Sequence, residues 1–127
     1  MKNRLIRFGY LTLGLIPIIW LILVSITYFK VGSEIGHLPT YNNPDSGQFK
    51  LFLKYDSVWN FGLLMTSMWG VIIIPLLLIG HIILSRYLKS IPKLRITDAI
   101  FGYAGYLIFI LFWTVSPMSD IITWYMD

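Results

Sequence analysis

The sequence predicts an all-α fold: an integral membrane three-helix bundle with a short extracytoplasmic loop and an interfacial helix at the end of that loop. Three observations carry this expectation. Ser57 to Ser85 contains no Asp, Glu, Lys or Arg, and a helix needs roughly 20 apolar residues to cross a hydrocarbon layer of about 30 Å. Two further uncharged runs, Phe8 to Phe29 and Ala99 to Met118, meet the same requirement. Apolar residues make up 57% of the chain and charged residues 13%, against about 45 to 50% and about 25% in soluble domains, so lipid is the implied solvent. The chain reads as one membrane domain, 1–127, with spans at about 8–29, 58–84 and 99–118, an outer loop at 30–56 and an inner loop at 86–97.

The first span follows Lys2, Arg4 and Arg7. Its apolar run exceeds the core of a secretory signal, and Tyr28-Phe29-Lys30 follows it in place of a small-x-small cleavage site, so an uncleaved anchor is expected. Pro17 withholds a backbone donor near the middle, which should bend the helix and leave a carbonyl for a neighbouring side chain to satisfy. Between Lys30 and Asp56 the run Tyr41-Asn42-Asn43-Pro44-Asp45-Ser46-Gly47 is dense in turn formers and predicts a compact loop. Gln48 to Tyr55 then sets Lys50 and Lys54 on one face and Phe49, Phe52 and Leu53 on the other, the pattern of a short helix lying in the interface.

Trp59 and Tyr87 mark the two ends of the second span, where amphipathic rings settle at the headgroups. Gly62, Thr66 and Gly70 recur at every fourth position and predict a face for close helix packing, as do Ala99, Gly102 and Gly105 in the third span. Ile91-Pro92 interrupts the basic connection between those spans. Thr97 is the expected cap of the third span, with Asp98 in its first turn at the positive end of the helix dipole. Beyond Pro117, Trp124 and Tyr125 are expected at the opposite interface.

Charge sets the expected orientation. Lys2, Arg4, Arg7, Arg86, Lys89, Lys93 and Arg95 share one side, and Lys30, Lys50 and Lys54 the other. The side richer in Lys and Arg faces the cytoplasm, which places the N-terminus inside and the C-terminus outside. Arg86, Lys89, Lys93 and Arg95 would then meet anionic lipid headgroups.

Candidate chemistry is sparse. The chain has no cysteine, and His37 and His81 alone cannot build a zinc site of the usual type. No Gly-x-Ser-x-Gly elbow, nucleophile triad or phosphate-binding glycine loop occurs, so neither an enzyme nor a cofactor is expected. No basic run with interleaved aromatics lies on a soluble face, which argues against nucleic acid. His81 is the one ionisable residue within a span. Paired with Asp98 it would make a proton-handling site near the inner surface. In the outer loop His37, Tyr41, Asn42, Asn43 and Asp45 are candidates for recognising a partner.

The stretch Gly36-His37-Leu38-Pro39-Thr40-Tyr41-Asn42-Asn43-Pro44-Asp45 resembles a Gly-x-x-Pro-x-Tyr-Asn-Asn-Pro-Asp loop of uncharacterised small multi-span bacterial membrane proteins, with Ser46 where that loop continues with Pro. The resemblance implies a bacterial cytoplasmic (inner) membrane and no particular activity. The functional expectation is a non-enzymatic accessory or interaction subunit, working through helix packing and its outer loop on another membrane protein or on a second copy of itself. Two other classes compete with it. An immunity-type protector against a membrane-acting toxin would use the outer loop, and a small transporter or channel component would need mid-depth polar groups, of which Thr66, Ser67 and Thr114 are the available ones.

Overall fold

The structure, a computed structural model, describes residues 2–40 and 58–126. Four helices follow in order: α1 Lys2–Ile35, α2 Val58–Tyr87, α3 Ile96–Thr114 and α4 Met118–Met126. The first three are long and apolar enough to cross a membrane. The expected short helix over 48–55 and the turn at 41–47 lie outside the described residues.

The helix ends differ from the sequence expectation in three places. α1 continues through Lys30 and Glu34 to Ile35, because a charged residue marks the edge of hydrocarbon and does not by itself end a helix. With 34 residues and a length of about 50 Å, α1 outruns the lipid core and carries charge at both ends. It stops at Gly36, whose φ of 81° lies in the left-handed region that favours glycine, and whose N–H donates to the Gly32 carbonyl at 3.0 Å. At the start of α3, Arg95 holds the cap position without a side-chain hydrogen bond and Thr97 is already inside the helix, so Thr97 is not the cap. α3 ends at Thr114, earlier than expected. The chain then turns through a cis Ser116–Pro117 bond into α4.

A further finding concerns the C-terminal aromatics. Trp124 and Tyr125 are 0% and 1% exposed, within a core built from Trp20, Val24, Tyr28, Leu64 and Phe109 of the three long helices. Trp124 stands edge-on to Tyr28 at 5.5 Å between ring centres, and Trp20 is edge-on to both Phe109 and Tyr125. Edge-to-face rings of this kind add specific geometry to the area they bury. The helix carrying them folds back onto the bundle, so the rings face its core.

Outside this core the bundle presents hydrocarbon. Ile19, Ile22, Ile72, Leu76, Ile79, Ile100 and Leu107 are all exposed, far more apolar surface than a water-soluble monomer leaves bare. Lipid is the medium that this surface suits.

Pro17 and Pro75 sit inside continuous helices, and both leave a repaired defect. Pro17 has no N–H, so the carbonyl four residues earlier, at Leu13, loses its helical donor. The Tyr106 hydroxyl donates to the Leu13 carbonyl at 2.9 Å. Pro75 deprives Val71 in the same way, and the Tyr103 hydroxyl donates to the Val71 carbonyl at 3.1 Å. The two tyrosines lie one helical turn apart on α3, stacked with ring centres 5.8 Å apart. One short segment of α3 thus completes the backbone of both other spans.

This pairing gives a direct test. Tyr106→Phe should destabilise the protein by about 1 kcal/mol, in line with hydrogen bonds inside membranes. In a Pro17→Ala background, where residue 17 supplies its own N–H, the same change should cost little. Reversible unfolding in detergent of the four proteins in that cycle measures the difference, and equal costs in both backgrounds would refute the pairing.

Candidate functional site

A cluster of charged groups lies at the end of the bundle where α1 and α3 begin. Arg7 of α1 donates through Nε to Asp98 Oδ1 of α3 at 2.8 Å. The Asp98 side chain is 7% exposed and the Arg7 side chain 45%, so the carboxylate is enclosed while the guanidinium still reaches water or headgroups. Asp98 also lies in the first turn of α3, where unpaired backbone N–H groups favour an anion. Its second oxygen, Oδ2, is fully buried and has no hydrogen-bond partner among the described residues. Asp98 also lines a cavity of about 70 Å³, together with Asn3, Arg7, Pro92, Lys93 and Arg95 among others.

His81, two turns before the end of α2, faces the connection that lines this cavity. Its Nε2 lies 2.9 Å from the Pro92 carbonyl oxygen, and since a carbonyl only accepts, Nε2 carries the proton. The ring also stands edge-on to Tyr10 at 5.9 Å. This holds the 88–95 connection against α2. The proposed His81–Asp98 pair does not form: Asp98 takes Arg7 as its partner, and His81 takes a backbone carbonyl. Arg7 was legible only as part of the basic N-terminus. The signal that could have singled it out is that Asp98 is the sole acid among seven cations at that end.

The two small-residue rows have different fates. Gly102 and Gly105 are buried at the crossing of α3 with α1, where a Cβ on Gly102 would lie 3.3 Å from the Tyr10 Cβ and one on Gly105 would overlap the Gly14 carbonyl. Gly14 therefore belongs to the same crossing, although no row in α1 announced it. Ala99 is half-buried beside this contact. In α2 the buried row is Asn60, Leu64, Ser67, Gly70, Ile74 and Leu78, a seam of three- and four-residue steps. Each four-residue step turns about 40° around the axis. The row Gly62, Thr66, Gly70 accordingly starts on the outside and reaches the seam only at Gly70, which receives the Tyr106 ring. Gly62 and Thr66 are exposed, with open space where a Gly62 Cβ would stand.

The mid-depth hydroxyls are spent inside their own helices. Thr66, Ser67 and Thr114 donate to the carbonyls of Gly62, Leu63 and Ile110. A buried polar contact that the sequence did not announce is Trp20 Nε1 donating to Asn60 Oδ1 at 2.9 Å, which ties α1 to α2. An apolar groove of about 460 Å³ between α1 and α3, bordered by Ile22, Ile26, Phe29, Ile108 and Phe112, has Ser25 as its one polar side chain and so little to orient a small molecule. Of the loop candidates, His37 is exposed with its Nδ1 3.1 Å from the Leu38 carbonyl oxygen, and Tyr41, Asn42, Asn43 and Asp45 lie outside the described residues. Nearby, the Tyr28 hydroxyl donates to the Pro39 carbonyl at 2.9 Å and draws the segment after Gly36 back along α1.

No protein family, curated protein or solved structure matches this chain. The functional reading therefore rests on the residues and their arrangement.

Proposed function

We propose that the protein is a non-enzymatic accessory subunit of a bacterial cytoplasmic membrane, with its N-terminus inside and its C-terminus outside, which docks on a span of another membrane protein through the outer edge of α2. The observation that supports this reading is the contrast between its glycines. Gly14, Gly70, Gly102 and Gly105 are used up by contacts within the bundle, whereas Gly62 and Thr66 offer a flat strip outward. The Thr66 hydroxyl is turned back onto the Gly62 carbonyl at 2.7 Å, which removes its need for a polar partner and leaves a surface that another backbone can approach closely. In lipid such contact between helices is what drives association.

A photoreactive residue at position 66, introduced in cells, tests this. It should give one adduct of discrete mass that disappears when Gly62→Leu fills the strip, while the same group at Leu107, exposed on α3, gives none. An adduct of twice the chain mass would identify the docking protein as a second copy. Lack of any adduct at 66, or equal labelling at 66 and 107, would defeat the proposal.

A further inference from the structure

Two tryptophans stand near the middle of a span, and only one of them has an acceptor among the described residues. Trp20 of α1 is enclosed and gives its indole N–H to Asn60. Trp69 of α2 is 61% exposed, and its Nε1 makes no hydrogen bond among the described residues. It lies about 17 Å along the axis from Val58, near the middle of a hydrocarbon layer of about 30 Å. Lipid tails carry no acceptor, so a bare donor at that depth keeps the full cost of its lost hydration.

A matching acceptor lies on the same face. Thr66 is exposed, and its hydroxyl has already given its proton to the Gly62 carbonyl at 2.7 Å, so Oγ1 offers lone pairs alone to its surroundings. At about 100° per residue, Gly62, Thr66 and Trp69 fall within roughly 60° of one another around α2. Within one chain Trp69 makes no hydrogen bond to Thr66. We infer that the outer edge of α2 pairs with the same edge of a second copy, each Trp69 donating to Thr66 Oγ1 of the other. Two copies inserted the same way are related by a two-fold axis along the membrane normal, so their α2 helices run parallel and equal positions meet at equal depth. A long side chain on a helix leans toward the N-terminus and covers the turn before it. The indole of Trp69 therefore belongs at the depth of Thr66 across the axis. Steps of four, three and four lead from Gly62 through Thr66 and Trp69 to Ile73, also exposed, and such steps keep positions along one seam of two parallel helices. Gly62, with open space where a Cβ would stand, lets the two backbones come close. A face that holds both the unmet donor and the spare acceptor is complementary to itself, whereas a foreign span would have to bring an acceptor to that one depth. The inference rests on the docking reading and names the docked span as α2 of a second copy.

Sedimentation equilibrium of the full chain in density-matched detergent tests it. The parent should show a reversible monomer–dimer equilibrium. Replacing Trp69 by benzothienylalanine, which keeps the ring shape and lacks the N–H, should weaken dimerisation about tenfold, the worth of two hydrogen bonds inside a membrane. Thr66→Val, which keeps the volume and lacks the oxygen, should weaken it by a similar factor, and the two changes together by no more than either alone. Both side chains face outward, so the monomer should keep its helical content throughout. A parent that stays monomeric at every concentration, dimers indifferent to the loss of the indole N–H, or losses that multiply in the double variant would each overturn the inference. A monomeric parent together with an adduct to a different protein at position 66 in cells would leave the docking reading standing alone, and a monomeric parent with no adduct would remove both.

Discussion

Gly105→Val should part α1 from α3 and lower stability by about 3 kcal/mol or more, the upper end of what overpacking costs. A Cβ at this position would overlap the Gly14 carbonyl and lie 3.0 Å from its carbon and 3.2 Å from the Ile18 Cγ1. Side chains can rotate away from an added methyl group, but a backbone carbonyl inside a helix cannot. The helices themselves must therefore move, and the Tyr106–Leu13 and Arg7–Asp98 hydrogen bonds span the same gap. Gly62→Val supplies the control, since its Cβ would enter open space, and it should change stability by no more than about 0.5 kcal/mol. Unfolding in detergent, monitored by tryptophan fluorescence, compares the two. A Gly105→Val protein as stable as the parent would mean that α1 and α3 do not cross where the structure puts them.

Trp124→Ala should be comparably damaging, at about 3 to 5 kcal/mol if the site cannot collapse. The side chain is completely enclosed, packed on Tyr28 from α1, and it anchors a helix of only nine residues, too short to hold its shape without tertiary support. Loss of the anchor should release α4 while leaving the crossing of α1 and α3 in place. Hydrogen exchange resolved by segment would then rise in 118–126 far more than in 99–114. Trp113, which is 39% exposed, offers the contrast, and its replacement by Ala should leave α4 protected. Uniform exchange across both segments in Trp124→Ala would contradict the anchoring role.

The misreading of Trp124 marks the boundary of what this sequence discloses. Three spans were legible because hydrocarbon excludes charge over a fixed thickness, a constraint that acts on every residue of a run. Aromatic rings near a chain end obey a weaker rule. Tryptophan suits both a headgroup belt and a packed core, and only the path of α4 distinguishes the two. Similar reasoning applies at Lys30 and Glu34, where charge located the edge of the lipid but Gly36 located the end of the helix. The repair of the proline defects was legible in kind, since a freed carbonyl in lipid needs a donor, while the donors themselves lie about 30 and 90 residues away in sequence and follow from packing alone. Among the candidate residues, Gly102 and Gly105 pack against α1. The Gly62–Thr66 pair lies outside because a row of fourth residues drifts around the axis, which spacing alone does not show. The role of Arg7 was masked by its neighbours, as several cations in a row read as one topological signal.

Tyr103 and Tyr106 also constrain how the molecule comes into being. Both tyrosines follow α1 and α2 in the chain, so the two freed carbonyls, at Leu13 and Val71, stay unmet until α3 packs against those helices. Up to that moment the nascent pair has reason to hold water or to stay beside the insertion machinery. Release into bulk lipid becomes favourable only once α3 is in place.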